Sequence, residues 1–137
     1  MFLLDTNVIS ERFKLKCNAG VEKWLDVNES KSFISVVTIE ELRYGLLLMP
    51  DGKRKIALEK RINSTVHYFN GKILNFEQTE AERCAEFHHL AHKAGFDPGM
   101  EDLMIAAIAS SFDLVIATRN TKDFEYLPVE TIDPFAS

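Results

Sequence analysis

Short apolar runs alternate along this chain with longer segments patterned at helical spacing, and that alternation restricts the architecture more than any other feature. Phe2–Leu4, Phe33–Val36, Lys72–Asn75, Leu114–Ala117 and Thr131–Ile132 read as strands. Most are near-continuous apolar runs, the pattern of strands covered on both faces. Between them, Asn18–Asn28, Thr38–Leu48, Lys53–Phe69, Gln78–Ala94 and Glu101–Ser110 carry apolar residues at helical spacing. Thr38 with Glu41 three residues on has the pattern of a capping box, and Gly95 suits a helix C-cap. Strands alternating with helices predict a parallel sheet with helices on both faces. We therefore expect an α/β fold: a three-layer α/β/α sandwich around a central, mainly parallel sheet of about five strands, as a single domain over residues 1–137.

Composition is consistent with this and excludes other classes. Of 137 residues, 46% are hydrophobic and 27% charged, ordinary for a globular protein and unlike a disordered or collagen-like chain. No apolar run approaches the ~20 residues that cross a bilayer. Met1 leads directly into Phe2-Leu3-Leu4-Asp5 without a basic, signal-like segment, so a cytoplasmic location with no membrane association is expected, with Cys17 and Cys84 as reduced thiols. The net charge of −5 argues mildly against a nucleic-acid partner, but a site that gathers carboxylates around a metal also makes a chain acidic.

Ligands of open α/β sheets bind outside the C-terminal ends of the strands. Asp5-Thr6-Asn7 follows the first strand, Glu41 lies on the helix after the second, Asp102 opens an Ala-rich helix, and Thr118-Arg119-Asn120 with Asp123 follows the fourth strand. Four acids from four separate segments thus fall on one edge. Carboxylates brought together raise one another's pKa unless a cation is present. Their hard oxygen donors, without paired Cys or His, suit Mg²⁺ or Mn²⁺. Each acid also has a plainer role open to it. Asp5 and Asp102 are placed to cap helices, Glu41 to complete a capping box or sit on the surface, and Asp123 to form a turn. Glu40, Glu101 and Glu125 are close neighbours that must be told apart from these four. Thr6, Asn7, Thr118 and Asn120 are short polar side chains suited to orienting the acids, and Arg119 and Lys122 flank the edge as substrate contacts. His88 and His92 have a zinc-compatible spacing but no third ligand nearby, and an exposed helix face is the better reading. Cys84 reads as a core thiol, Arg43 as a partner for an acid, and Lys53, Arg54, Lys55, Lys60 and Arg61 equally as a phosphate track or a solvated face. The run Leu46-Leu47-Leu48-Met49 is too broad for one helix face to bury and suggests core on one side, interface on the other.

Four stretches together carry a resemblance to the PIN-domain nucleases. Phe2-Leu3-Leu4-Asp5-Thr6-Asn7-Val8-Ile9-Ser10 resembles their first strand, and Ser35-Val36-Val37-Thr38-Ile39-Glu40-Glu41-Leu42-Arg43-Tyr44-Gly45 their second motif, in which the carboxylate before Leu, here Glu41, is catalytic. Asp102-Leu103-Met104-Ile105-Ala106-Ala107-Ile108-Ala109 resembles the third and Ala117-Thr118-Arg119-Asn120-Thr121-Lys122-Asp123-Phe124 the fourth. Within that family the chain is most similar to the VapC/FitB-type toxins of bacterial toxin–antitoxin pairs. The resemblance implies an Mg²⁺-dependent endoribonuclease that hydrolyses RNA phosphodiester bonds with a metal-activated water. Asp5, Glu41, Asp102 and Asp123 would serve as catalytic and metal-binding residues. It also implies a homodimer, a cognate antitoxin, and contact with operator DNA only through that antitoxin. Some PIN domains have Asp where this chain has Asn120, so Asn120, Asp123 or both complete the site. The competing readings are a catalytically silent PIN-like binding module acting through a partner, and a phosphohydrolase with Asp5 as nucleophile, the latter disfavoured by the lack of an Asp-x-Asp arrangement.

Overall fold

Residues 1–136 are described by a computed structural model. The strands are β1 (Phe2–Leu4), β2 (Ser32–Ser35), β3 (Ile73–Leu74), β4 (Val115–Ala117) and β5 (Thr131–Ile132). The helices are α1 (Thr6–Ile9), α2 (Ala19–Asn28), α3 (Val36–Leu47), α4 (Lys53–Tyr68), α5 (Gln78–Lys93) and α6 (Met100–Ser111). All four strand pairings are parallel, in the order β3-β2-β1-β4-β5. The expected five-stranded α/β sheet is thus present, and it is parallel throughout.

Alternation along the strands separates two cores. Leu3, Phe33, Leu74 and Ile116 face α5 and α6, packing with Phe87, Ala91, Leu103, Ala106 and Ala107. Phe2, Leu4, Ile34, Ile73 and Ala117 face the other way, onto Val8, Ile9, Val21, Leu25 and Phe69. Small residues in α6 let its buried stretch, Ile105–Ala109, lie close against the sheet. Cys84 is buried in the first core, as its spacing indicates, and both cysteines are free. A third cluster joins α3 to α4 through Leu42, Leu46 and Ile62. Leu47 and Leu48, 71% and 67% exposed, turn away from it, so the Leu46–Met49 run is split between core and surface as expected. No helix among the described residues is long and apolar enough to cross a membrane.

The ends of elements differ from the sequence reading in instructive ways. Val36 and Val37 favour a strand by propensity, yet α3 begins at Val36. Ser35 is its N-cap, accepting from the Thr38 N–H at 3.3 Å, so no capping box forms between Thr38 and Glu41. The box that does form uses Glu77 and Glu80 at the start of α5. Asp5 caps α1, accepting from the Thr6 N–H at 2.8 Å, whereas the N-cap of α6 is Gly99, with Asp102 two residues past the helix start.

α5 and α6 end in the same motif. In α5, Phe96 N–H bonds Ala91 O and Gly95 N–H bonds His92 O; in α6, Leu114 N–H bonds Ala109 O and Asp113 N–H bonds Ser110 O. The motif needs a left-handed residue. Gly95 fills it at φ 72°, but α6 uses Asp113 at φ 53°, which also places a negative charge at the helix C-terminus. Asp113→Gly should stabilise the fold by about 1 kcal/mol. Thermal melting tests this, and an unchanged or lower melting temperature would show that the Asp113 conformation is not strained.

Candidate active site

The chain runs from β1 outward to β3, then returns to build β4 and β5 on the other side, so the strand order reverses between β1 and β4. A crevice at such a switch point is where α/β sheets bind ligands. Leu4 pairs with Ala117, and the next residues of the two strands, Asp5 and Thr118, therefore lie side by side. Both are buried. Thr118 Oγ1 donates to Asp5 Oδ2 at 2.8 Å, and Asn7 Nδ2 donates to the same oxygen at 3.2 Å. Asn7 Nδ2 also approaches Thr118 Oγ1 at 3.3 Å, while Asn7 Oδ1 accepts from the Arg119 N–H at 3.0 Å. Asn7 thus straps the two strand ends together and, with Thr118, fixes Oδ2 of the site's most buried acid, while the Thr6 N–H holds Oδ1.

Glu41 arrives from α3 and is partly buried. Thr6 Oγ1 lies 2.7 Å from its Oε1 and 3.1 Å from Thr38 Oγ1. Glu40, its neighbour on the helix, is exposed. Asp102 lies in the first turn of α6, and Asp123 in a 3₁₀ turn, Thr121–Phe124, begun by the bond from Asp123 N–H to Asn120 O at 3.0 Å. Asn120 enters the network through its backbone, donating its N–H to Thr118 Oγ1 at 3.0 Å. Arg119 and Lys122 are exposed beside the edge, with the Arg119 guanidinium stacked 4.7 Å over the Phe135 ring.

Electrostatics bind the four acids into one group. Burial pushes the Asp5 carboxyl above its usual range against the pull of its three hydrogen bonds, and the Asp123 charge adds to the rise. Glu41 is raised by burial, opposed by the Thr6 hydroxyl and reinforced by Asp5, Glu101 and Glu40. Asp102 is pushed up to about 6, first by burial and then by the charges of Asp123, Asp5, Glu41 and Glu101. None of the ion pairs among the described residues involves any of these four acids. Nor do three of the His, Cys, Asp or Glu side chains among the described residues converge tightly enough to enclose an ion. The acids are near enough to repel yet stand apart as an open rim. That suits a hard cation that keeps several waters, such as Mg²⁺, better than one needing a closed protein cage. On donor chemistry and uncompensated charge, the residues fit a divalent cation.

Other singled-out residues fall elsewhere. His88 and His92 are exposed on α5, as expected. Lys55 pairs with Asp51 at 3.2 Å, and Arg61 bonds the carbonyls of Arg12 and Phe13, which ties two members of the basic set to local structure. Arg43 forms no ion pair among the described residues, contrary to expectation. Sequence reading passes over the buried Glu11 and gives Thr38 only a capping role. Glu11 holds Lys14 and the Asn18 N–H, and Thr38 touches Thr6 from inside the fold. Thr38 lies three residues before Glu41 on one helix face, the only signal that pointed to it.

The fold and this carboxylate edge define a PIN-type domain. Residues 2–129 match the family model described as PIN domain, and the chain belongs to that family. The toxin FitB of Neisseria gonorrhoeae is 36% identical over 98% of this chain and 99% of its own length. The VapC ribonuclease Y4jK of Sinorhizobium fredii is 34% identical, covering 98% of each. Among solved structures, FitAcB from N. gonorrhoeae superposes with a TM-score of 0.94 at 36% identity, covering both chains completely. A toxin–antitoxin complex from Klebsiella pneumoniae gives 0.73 at 27% identity over 98% of each chain. The likeness to VapC and FitB proteins thus extends over the whole chain.

Proposed function

We propose that this protein is an Mg²⁺- or Mn²⁺-dependent endoribonuclease acting as the toxin of a toxin–antitoxin pair. The observation that carries this is the set Asp5, Glu41, Asp102 and Asp123: the first three carboxyls are held above their usual range, by burial first and then by neighbouring acids, and none of the four has an ion-pair partner among the described residues. Such an edge is poorly satisfied without a cation. A bound divalent ion would supply a lowered water pKa and neutralise charge at the attacked phosphate. The chain's own residues do the positioning. Thr118 and Asn7 hold Asp5, Thr6 holds Glu41, and the α6 N-terminus presents Asp102. Arg119 and Lys122 supply positive charge to the RNA backbone beside the acids. Relatives bearing the names ribonuclease and toxin support the reading. So do the exposed apolar side chains Tyr44 and Leu47 on α3, Leu48 just beyond it and Ile56 on α4, which a cognate antitoxin would cover. A homodimer and a cytoplasmic location belong to the same proposal, and operator DNA would be reached through the antitoxin. A silent binding module would have no use for an uncompensated acid set.

The test is cleavage of single-stranded RNA with Mg²⁺ by the wild type, Glu41→Gln and Glu40→Gln. Residues 40 and 41 are ~100° apart on the helix, so only one faces the site. We expect Glu41→Gln to lose cleavage about 100-fold or more, a loss of roughly 3 kcal/mol in the barrier, and Glu40→Gln to stay within about twofold. A larger loss at Glu40 would overturn the assignment of the second acid. Wild-type protein that never cleaves RNA would overturn the proposal.

A further inference from the structure

We propose that the Thr38 hydroxyl is a positioning group for this site: acting through Thr6, it fixes the direction in which Glu41 presents its carboxylate. The inference deepens the reading above and rests on it. Thr38 is completely buried, so its hydroxyl has no water to satisfy it. The partner the structure gives it is Thr6 Oγ1 at 3.1 Å. Thr6 Oγ1 carries one proton and lies 2.7 Å from Glu41 Oε1, where a charged acceptor makes the stronger bond. That proton therefore goes to Glu41, and the Thr38 proton goes to the Thr6 oxygen. The result is a directional chain, Thr38 to Thr6 to Glu41, running from the buried face of α3 across α1 and back to α3.

Each link removes a freedom that the next would otherwise have. A helical Thr divides between two rotamers because its hydroxyl can turn back onto the preceding carbonyls. The bond to Thr6 competes with that turn. Thr6 sits on a helix of four residues at the end of β1 and is only partly buried, so it needs such an anchor. Glu41 has the longest side chain of the four acids, with one more rotatable bond than the aspartates, and this chain supplies its hydrogen bond. Thr38 and Glu41 are three residues apart on one helix face, which lets a residue of another element bridge them.

The experiment compares wild type, Thr38→Val, Thr38→Ser, Thr6→Ala and the double variant Thr6→Ala/Thr38→Val. Three quantities are read: RNA cleavage with Mg²⁺, Mn²⁺ affinity of the protein alone by calorimetry or electron paramagnetic resonance, and melting without metal. Thr38→Val should lower kcat at least tenfold and weaken Mn²⁺ binding at least threefold. Thr38→Ser should stay within threefold of wild type on both, although it loses a buried methyl. In the Thr6→Ala background, Thr38→Val should cost less than a further twofold, because the intermediary is already gone. Should Thr38→Val fail to fold, Thr38→Ala takes its place. Equal cleavage and Mn²⁺ binding by Thr38→Val and wild type would overturn the proposal alone. So would a serine variant as impaired as the valine one, or a full valine cost persisting without Thr6. Wild type that neither cleaves RNA nor takes up Mn²⁺ would overturn the parent reading and this one with it.

Discussion

Asp102→Asn is expected to abolish RNA cleavage while making the metal-free protein more stable. Both effects come from one charge. The Asp102 carboxyl is raised to about 6 by burial and by Asp123, Asp5, Glu41 and Glu101. An acid whose folded pKa lies above its unfolded value favours folding when protonated and opposes it when ionised. The penalty is therefore absent well below pH 4, grows as pH rises from about 4 to about 6, and keeps its full value above that, as at pH 8. A two-unit shift corresponds to at most roughly 3 kcal/mol, and solvent screening of a partly exposed group reduces this to about 1–2. Asparagine removes it, so melting at pH 8 in EDTA should rise by roughly 3–8 °C, with little difference at pH 4. Added Mg²⁺ should narrow the gap, because it stabilises the wild type more than the variant. Cleavage should fall about 1,000-fold, since several kcal/mol of charge stabilisation depend on the complete edge. A variant that cleaves normally, or one that melts lower than wild type at pH 8 without metal, would show that Asp102 is not held in a repulsive cluster.

Such clusters were legible in the sequence because chemistry and topology left them few places to go. An acid directly after an apolar run, or opening an otherwise apolar helix, is placed near the strand ends, as Asp5 and Asp102 are, whereas Glu41 lies in the second turn of α3 and Asp123 in a turn beyond β4. The sheet was equally legible, since Phe2–Leu4 and Thr131–Ile132 form strands with the bounds the apolar pattern predicts. What stayed hidden depends on contacts between distant segments. Val36-Val37 looks like strand, but Ser35 caps a helix there and the buried Thr38 side chain meets Thr6, 32 residues away. Asn120 and Asp123 differ in the same kind of contact. Asn120 uses its N–H to hold Thr118, while the Asp123 charge acts on Asp5 and Asp102. No spacing rule distinguishes a side chain facing a site from one facing solvent three residues earlier. The Glu77–Glu80 box has Glu where the usual signature has Ser or Thr, so spacing alone does not announce it.

EDTA is expected to stop cleavage entirely, with activity restored by Mg²⁺ or Mn²⁺ and poorly by Ca²⁺. The donors are carboxylate oxygens on an open rim, with no thiolate and no imidazole among them. A small octahedral cation that keeps waters and accepts a phosphate oxygen is suited to that rim. Ca²⁺ is larger and irregular in coordination, so it should support RNA binding better than hydrolysis. Asp123 extends the test. It is partly buried on a 3₁₀ turn, joined to the cluster by charge rather than by a hydrogen bond to another acid. If its charge helps hold the cation, Asp123→Ala should raise the Mg²⁺ concentration for half-maximal rate by about tenfold, equivalent to roughly 1.4 kcal/mol of binding. The rate at saturating Mg²⁺ should fall much less than for Asp102→Asn. If Asp123 only shapes the turn, the half-maximal concentration will not move and the loss will appear as lower stability instead. Titrating Mg²⁺ against both proteins on one short RNA separates the two outcomes. Cleavage by pure wild-type protein that persists in EDTA would remove the cation from the mechanism and, with it, the reason these four acids share one edge of the sheet.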